Sequence, residues 1–324
     1  MTDSVSQTPD GPPAAPPNPS AARRLVPWAV ALACFGYLYY RISNATPAGE
    51  TPLSYLASVF AKVGWGKWLL LMVPYSCFYF LIDSAVTWRV INWFNTKVGY
   101  TDILPIRASA YILSILNEQV GKGAMALYLY RRDRVPAWEV VSSMLFIMFC
   151  EFFYLLGWAT LGYGLAGDQL PPQFKLIPNI AIGAVIFLVL WIAYFRGGFL
   201  PGLRLRERPL FHAFRQAEWW QYLVLVAIRS PALLAAVFVY RAALGLFGVE
   251  ETLPNMLGIL PVVFFGAAVP TPMRAAAITL WVVLYPQQEA QLAAFGLVMH
   301  NFFIFFNAAI GLLFLRRANR DLLE

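Results

Sequence analysis

Six apolar stretches, at or near the length that crosses a bilayer, limit what this chain can become. A transmembrane helix needs about 20 apolar residues. Residues 68–88, 138–166, 178–195, 219–246 and 290–315 meet that requirement, and Leu25–Tyr40 reads as a further, first span. Composition agrees. Hydrophobic residues make up 60% of the chain and charged residues 13%, against about 25% charged in soluble domains. What is left over is short loops. The sequence therefore predicts an all-α integral membrane protein in one polytopic domain, 23–324, behind a disordered Pro/Ala-rich tail, 1–22.

The run after Arg23 and Arg24 shares its basic-then-apolar order with a signal peptide. It ends, however, in Tyr37, Tyr39, Tyr40 and Arg41, which suits an interfacial aromatic belt and a retained helix. Cys34, Cys77 and Cys150 lie inside apolar runs without CxxC spacing, so neither a metal site nor a disulfide framework is expected. The net charge of +7 invites a nucleic-acid reading, but in a membrane chain basic residues gather on cytoplasmic loops. No nucleic-acid partner is expected.

Two apolar regions, about 103–131 and 252–286, are too long and too broken for one simple span each. Both carry polar, Gly or Pro residues at their middle. The simplest reading is a re-entrant helical hairpin in each. Non-helical backbone is tolerated at membrane depth only where protein covers it or water fills a cavity. With the N-terminus inside and six spans, 16 basic residues fall on the inner side and 5 on the outer. Lys122, Arg229 and Arg274 fall in apolar segments. That split predicts cytoplasmic N- and C-termini, and it makes the two hairpins enter from opposite faces.

The hairpins also resemble one another. Each opens acidic-x-Leu-Pro, from Asp102 and from Glu251. An offset of 149 residues superposes Pro105 on Pro254, Gly121 on Pro270 and Gly123 on Pro272. Broken helices entering from opposite faces are the arrangement of inverted-repeat transporters, whose substrate sits where the half-helix ends meet. A half-helix starting inside the bilayer presents unpaired N–H groups and the positive end of its dipole, which suit an anion.

The stretch LNEQVGKGAM, 116–125, then reads as a hairpin tip, with Gly121 and Gly123 allowing a sharp turn. Pro270 and Pro272 would end one half-helix and start another. Candidate substrate-binding residues are Asn117, Glu118, Gly121, Lys122, Gly123, Glu151, Arg229, Pro270, Pro272 and Arg274. A charge at a span centre costs about 2.5–3.5 kcal/mol on insertion scales, so each should face protein or a cavity. Substrate contact and mutual salt bridging among these charges both stay open. Asp83 falls nearer the inner end of its span and reads as merely wet. His300, Asn301 and Asn307 read as interhelical hydrogen-bonding groups. Two flanking stretches are amphipathic: Leu53–Val63, and RLRERPLFHAFRQAEWW from Arg204, which suits an anionic lipid surface or a solvated basic loop.

YILSILNEQVGKGAMALYLYRRDRVP, followed by SSMLFIMFCEFF, resembles the first characteristic region of the lysylphosphatidylglycerol synthase/flippase membrane-domain family. The likeness extends loosely over most of the chain after residue 25. It implies that Asn117, Gly121, Gly123 and Arg131 belong to the first hairpin, Glu151 to an acidic position in the next span, and VPTPMRA with Arg274 to the second hairpin. Ala275 stands where a glutamate is expected, and Pro and Met replace glycines there, which implies a different substrate. The family implies translocation of a phospholipid or other anionic lipid, with membrane lipids as partners and self-association left open. No synthase domain or catalytic constellation occurs in these residues, so neither an enzyme nor a cofactor is expected. A secondary transporter of a small soluble anion and an accessory protein of lipid biosynthesis are the alternatives.

Overall fold

A computed structural model describes residues 21–114, 118–197, 204–269 and 271–323. The tail expected at 1–22 lies outside them except for its last two residues, which begin a helix. The described residues are helical throughout, with no strand among them. The helices are α1 (Ala21–Ala45), α2 (Pro52–Ala61), α3 (Trp65–Phe94), α4 (Tyr100–Ser114), α5 (Glu118–Asp133), α6 (Ala137–Ala166), α7 (Ile177–Gly197), α8 (His212–Gln216), α9 (Trp219–Leu246), α10 (Leu253–Ala268), α11 (Ala275–Leu284) and α12 (Glu289–Leu323).

Five of these helices, α3, α6, α7, α9 and α12, are long and apolar enough to cross a membrane. They coincide with the five full-length apolar stretches. α1 covers the first, shorter run. The other two broken regions fold as pairs of short helices, α4 with α5 and α10 with α11, the partners in each pair packed on one another. At 1.5 Å per residue, α4 and α5 reach about 22–24 Å, α10 about 24 Å and α11 about 15 Å. A hydrocarbon core is about 30 Å thick.

α10 starts cleanly: Thr252 Oγ1 accepts from the Asn255 N–H at 3.3 Å, and Pro254 sits in the first turn, where its missing N–H costs nothing. Two close approaches fix where the short pairs dock. A Cβ on Gly162 of α6 would lie 2.3 Å from the Gly258 nitrogen of α10, and one on Gly311 of α12 would lie 2.4 Å from the Ala108 carbonyl oxygen of α4. Only glycine lets those backbones touch. The main core gathers α3, α6, α9, α10, α11 and α12 around Trp281, Phe295, Met72 and Leu233. α7 joins it only through its first turns, at Ile177, Ala181 and Ala184, and shows Ile180, Ile182, Val185, Ile186 and Val189 to the surroundings. An outward groove of about 540 Å³, lined by Phe149, Phe152, Phe153, Phe187 and Trp191, runs between α6 and α7.

Three expectations need correction. The sharp turn assigned to Gly121 and Gly123 is not there: both lie inside α5. Helix propensity is weak against packing, and these glycines are tolerated in a helix held on both sides by α4 and α6. The 149-residue register of the two pairs also fails, since α10 begins 153 residues after α4 and α11 begins 157 after α5. Pro254 starts its helix whereas Pro105 lies within α4. Finally, the basic stretch from Arg204 is neither a free loop nor a simple lipid-lying helix. Phe214, Ala213 and Ala217 are buried, the Ala213 N–H donates to Ser142 Oγ of α6 at 2.9 Å, and Arg215 donates to the carbonyls of Arg206 and Arg208. Trp219 and Trp220 remain exposed at its end.

Candidate functional site

Three periodic stripes converge on one buried polar centre. On α3, Tyr75, Tyr79 and Asp83 recur every four residues. On α6, Glu151, Tyr154 and Trp158 follow at three and four. On α4, Arg107 and Tyr111 are four apart. Residues three and four apart share a helix face, so each stripe delivers its polar groups to the same side.

Arg229 of α9 stands at the middle. Its Nη1 donates to Asp83 Oδ1 at 3.0 Å and its Nη2 to Glu151 Oε1 at 3.1 Å. Asp83 Oδ2 accepts from both Arg107 Nε and the Tyr111 hydroxyl. The Tyr111 ring lies 4.9 Å from the Arg107 guanidinium carbon, and the Tyr79 ring 5.7 Å from that of Arg229. Tyr154 OH donates to the Arg229 carbonyl at 3.2 Å, and Trp158 Nε1 donates to Ser230 Oγ at 3.1 Å. Two carboxylates and two guanidiniums cancel in formal charge, and each of the four makes at least one hydrogen bond within the cluster. A buried ion pair survives desolvation only under that condition.

The centre is unevenly sealed. The side chains of Asp83 and Arg229 are 3% and 8% exposed, that of Glu151 35%. Glu151 and Arg229 floor a crevice walled by Val86, Ile147, Cys150, Leu225 and Val226, between α3, α6 and α9. As it stands, the crevice admits no water-sized sphere.

Arg274 occupies the break between α10 and α11. It caps α11 in the left-handed region at φ 53°, directly after Met273 at φ 54°. Non-glycine residues seldom adopt that conformation, and two in succession mark a backbone held by its surroundings. The Thr271 side chain accepts from the Ala276 N–H at 3.3 Å, satisfying one opening donor of α11. The Arg274 guanidinium carbon lies 5.9 Å from the Phe303 ring, and among the described residues no carboxylate pairs with it. Phe303 in turn meets the Tyr79 ring edge-on at 4.8 Å. The two arginines are thus joined through two rings, Arg229–Tyr79–Phe303–Arg274.

Glu151 and Arg229, named from the sequence, do meet. Pro272 and Arg274 sit together at the second break, apart from that pair by the ring bridge. Asn117 and Pro270 lie outside the described residues. Glu118, Gly121, Lys122 and Gly123 fall in the first two turns of α5, where the backbone alone is described, so the expected Glu118–Lys122 pair lies outside them too. Asp83 needs correction: it is buried, and it anchors both arginines. Arg107, counted among inner-side loop charges, and Tyr111 were missed. Their four-residue spacing, matched to the Tyr75–Tyr79–Asp83 stripe, was the available signal. Of the other polar residues, His300 accepts from Trp281 Nε1 of α11 at 3.3 Å, whereas Asn301 donates to its own helix, at the Leu297 carbonyl. Among the described residues, Asn307 Oδ1 is buried with no hydrogen-bond partner. Comparison with protein-family models, curated proteins and solved structures found no match to the chain.

Proposed function

We propose that this chain is a membrane transporter of the flippase kind, which moves a phospholipid or other anionic amphiphile between leaflets. On this reading α1 completes six spans, and the α4/α5 and α10/α11 pairs are re-entrant hairpins dipping from opposite faces. Both termini are cytoplasmic, in a cell inner membrane. The carrying observation is the chain of contacts joining the two short-helix pairs: α4 reaches it through Arg107 and Tyr111, and the α10/α11 break through Arg274 on Phe303. Helices too short to cross, one pair at a charged centre and the other joined to it through two rings, supply what a headgroup needs at membrane depth. The apolar walls beside Glu151 favour a lipid over a soluble anion, because the tails stay in hydrocarbon while the headgroup follows the arginines. The resemblance to the synthase/flippase membrane domains points the same way.

The test is a leaflet-transfer assay with purified protein in liposomes, using fluorescent phosphatidylglycerol and a membrane-impermeant quencher. Wild-type protein should accelerate transfer well above empty vesicles. Tyr79→Ala, which removes a ring between the two arginines, should lower the rate at least about tenfold, the effect of about 1.4 kcal/mol on a barrier. Transfer no faster than in empty vesicles would sink the reading.

A further inference from the structure

The two counter-ions of Arg229 are not equivalent. Asp83 is sealed in and accepts from three donors, Arg229, Arg107 and Tyr111. Glu151 makes one 3.1 Å contact to Arg229 and keeps 35% of its side chain exposed. Protonating Asp83 would leave Arg107 without a carboxylate and Arg229 with Glu151 alone. Protonating Glu151 would leave Arg229 still bonded to Asp83, free Nη2, and give the cluster one net positive charge. A phosphodiester matches that vacancy: it carries one negative charge, and its two free oxygens suit a guanidinium fork. The crevice walls, Val86, Ile147, Leu225 and Val226, offer apolar surface to whatever hangs from the phosphate.

We propose that Glu151 is an exchangeable counter-ion: a lipid phosphodiester replaces it on Arg229, and the displaced carboxylate takes up one proton. The charge balances. Before exchange the cluster holds two guanidinium and two carboxylate charges. Afterwards it holds two guanidiniums, one carboxylate and one phosphodiester, with an O–H bond formed on Glu151 by a proton from water. Nothing is oxidised or reduced. Among the described residues, the charged or titratable groups toward Glu151 are Arg229 from α9, Asp83 and Tyr79 from α3, and Cys150 and Tyr154 from α6 itself. From α10 the neighbouring side chain is the apolar Phe265, on Phe152. The closed crevice fits the unliganded half of such an exchange, with Glu151 in the phosphate's place. The inference deepens the transporter reading and rests on it for the identity of the cargo, while the binding it asserts is measurable without transport.

The experiment is calorimetric titration of the full chain in phosphatidylcholine nanodiscs with dihexanoyl phosphatidylglycerol. It is run between pH 6 and 8 in two buffers of different ionisation heat, with empty discs as baseline. A phosphodiester does not titrate in that range, so protons taken up belong to the protein. The expected result is one lipid bound with uptake approaching one proton. Affinity then rises toward about tenfold per unit fall in pH across that range. Glu151→Gln should bind with no proton uptake and no pH dependence, and at pH 8 at least about tenfold tighter than wild type. Wild-type binding without proton uptake, a Glu151→Gln protein that keeps the wild-type pH dependence, or no saturable binding at all would overturn the proposal. Glycerophosphoglycerol, the same headgroup without tails, should bind at least about tenfold more weakly; equal affinity overturns the assignment to a lipid. The two readings separate: proton-linked binding without leaflet transfer defeats the transporter, and leaflet transfer with pH-flat binding defeats the exchange.

Discussion

Arg229 and Arg274 look alike in the sequence, each a lone arginine in an apolar run beside a proline. Their surroundings differ in kind. Arg229 lies on a long helix, α9, and is held by carboxylates from α3 and α6, its carbonyl tied by Tyr154. Arg274 lies on a helix break, half-buried, over one aromatic ring and with no carboxylate partner among the described residues. The contrast follows from where each can go. A charge at the middle of a packed helix cannot reach water, so it must be neutralised by neighbours or it prevents folding. A charge on a break is not tied to the face of a packed helix and can be aimed at a cavity or the membrane interface. The first arrangement builds structure and holds a site together. The second leaves a cation available.

The comparison breaks most visibly at Asp83. Replacing it with Ala strands Arg107 and leaves Arg229 with Glu151 alone, and uncompensated buried charge costs about 3–5 kcal/mol. Thermal unfolding in detergent, followed by tryptophan fluorescence, should show a large fall for Asp83→Ala. A triple change of Asp83, Arg107 and Arg229 to apolar residues of similar size should recover much of it. If Asp83→Ala unfolds like wild type, the sealed half of the centre is not sealed. Glu151→Gln should cost far less, about 1 kcal/mol, because the amide still offers Arg229 an acceptor and the side chain is partly open. Equal losses for Asp83→Ala and Glu151→Gln would erase the distinction on which counter-ion exchange depends.

The sequence exposes long-range order where one simple rule applies. Length and hydropathy locate α3, α6, α7, α9 and α12, and polar interruptions locate the two short-helix pairs. Glu151 and Arg229 stand out because each is a charge deep in an apolar run. Asp83 was misjudged because depth was read from distance to the nearest loop, and burial depends on which helices lie beside it. Arg107 was assigned to the membrane edge for the same reason, although α4 turns it onto α3. The first break escaped because glycine was taken as the turn. The two glycines instead lie inside α5. The equal spacing of the two pairs was an accident of matching prolines: Pro254 begins a helix, and Pro105 is inside one.

The smallest expected effect on stability is the most discriminating for function. Arg274→Ala removes no salt bridge, only the stacking on Phe303. Cation–π contacts at such sites are worth about 0.5–1 kcal/mol. The unfolding midpoint should therefore barely move. Leaflet transfer of fluorescent phosphatidylglycerol, by contrast, should fall at least about tenfold if the free guanidinium receives the headgroup after it leaves Arg229. Arg274→Lys should restore part of the rate, since a point charge attracts the phosphate but lacks the planar fork. A stable Arg274→Ala protein that transfers lipid at the wild-type rate would confine the headgroup to the Asp83–Arg229–Glu151 centre. The cation on the break would then be a consequence of local geometry, and the ring bridge between the two arginines would be packing alone.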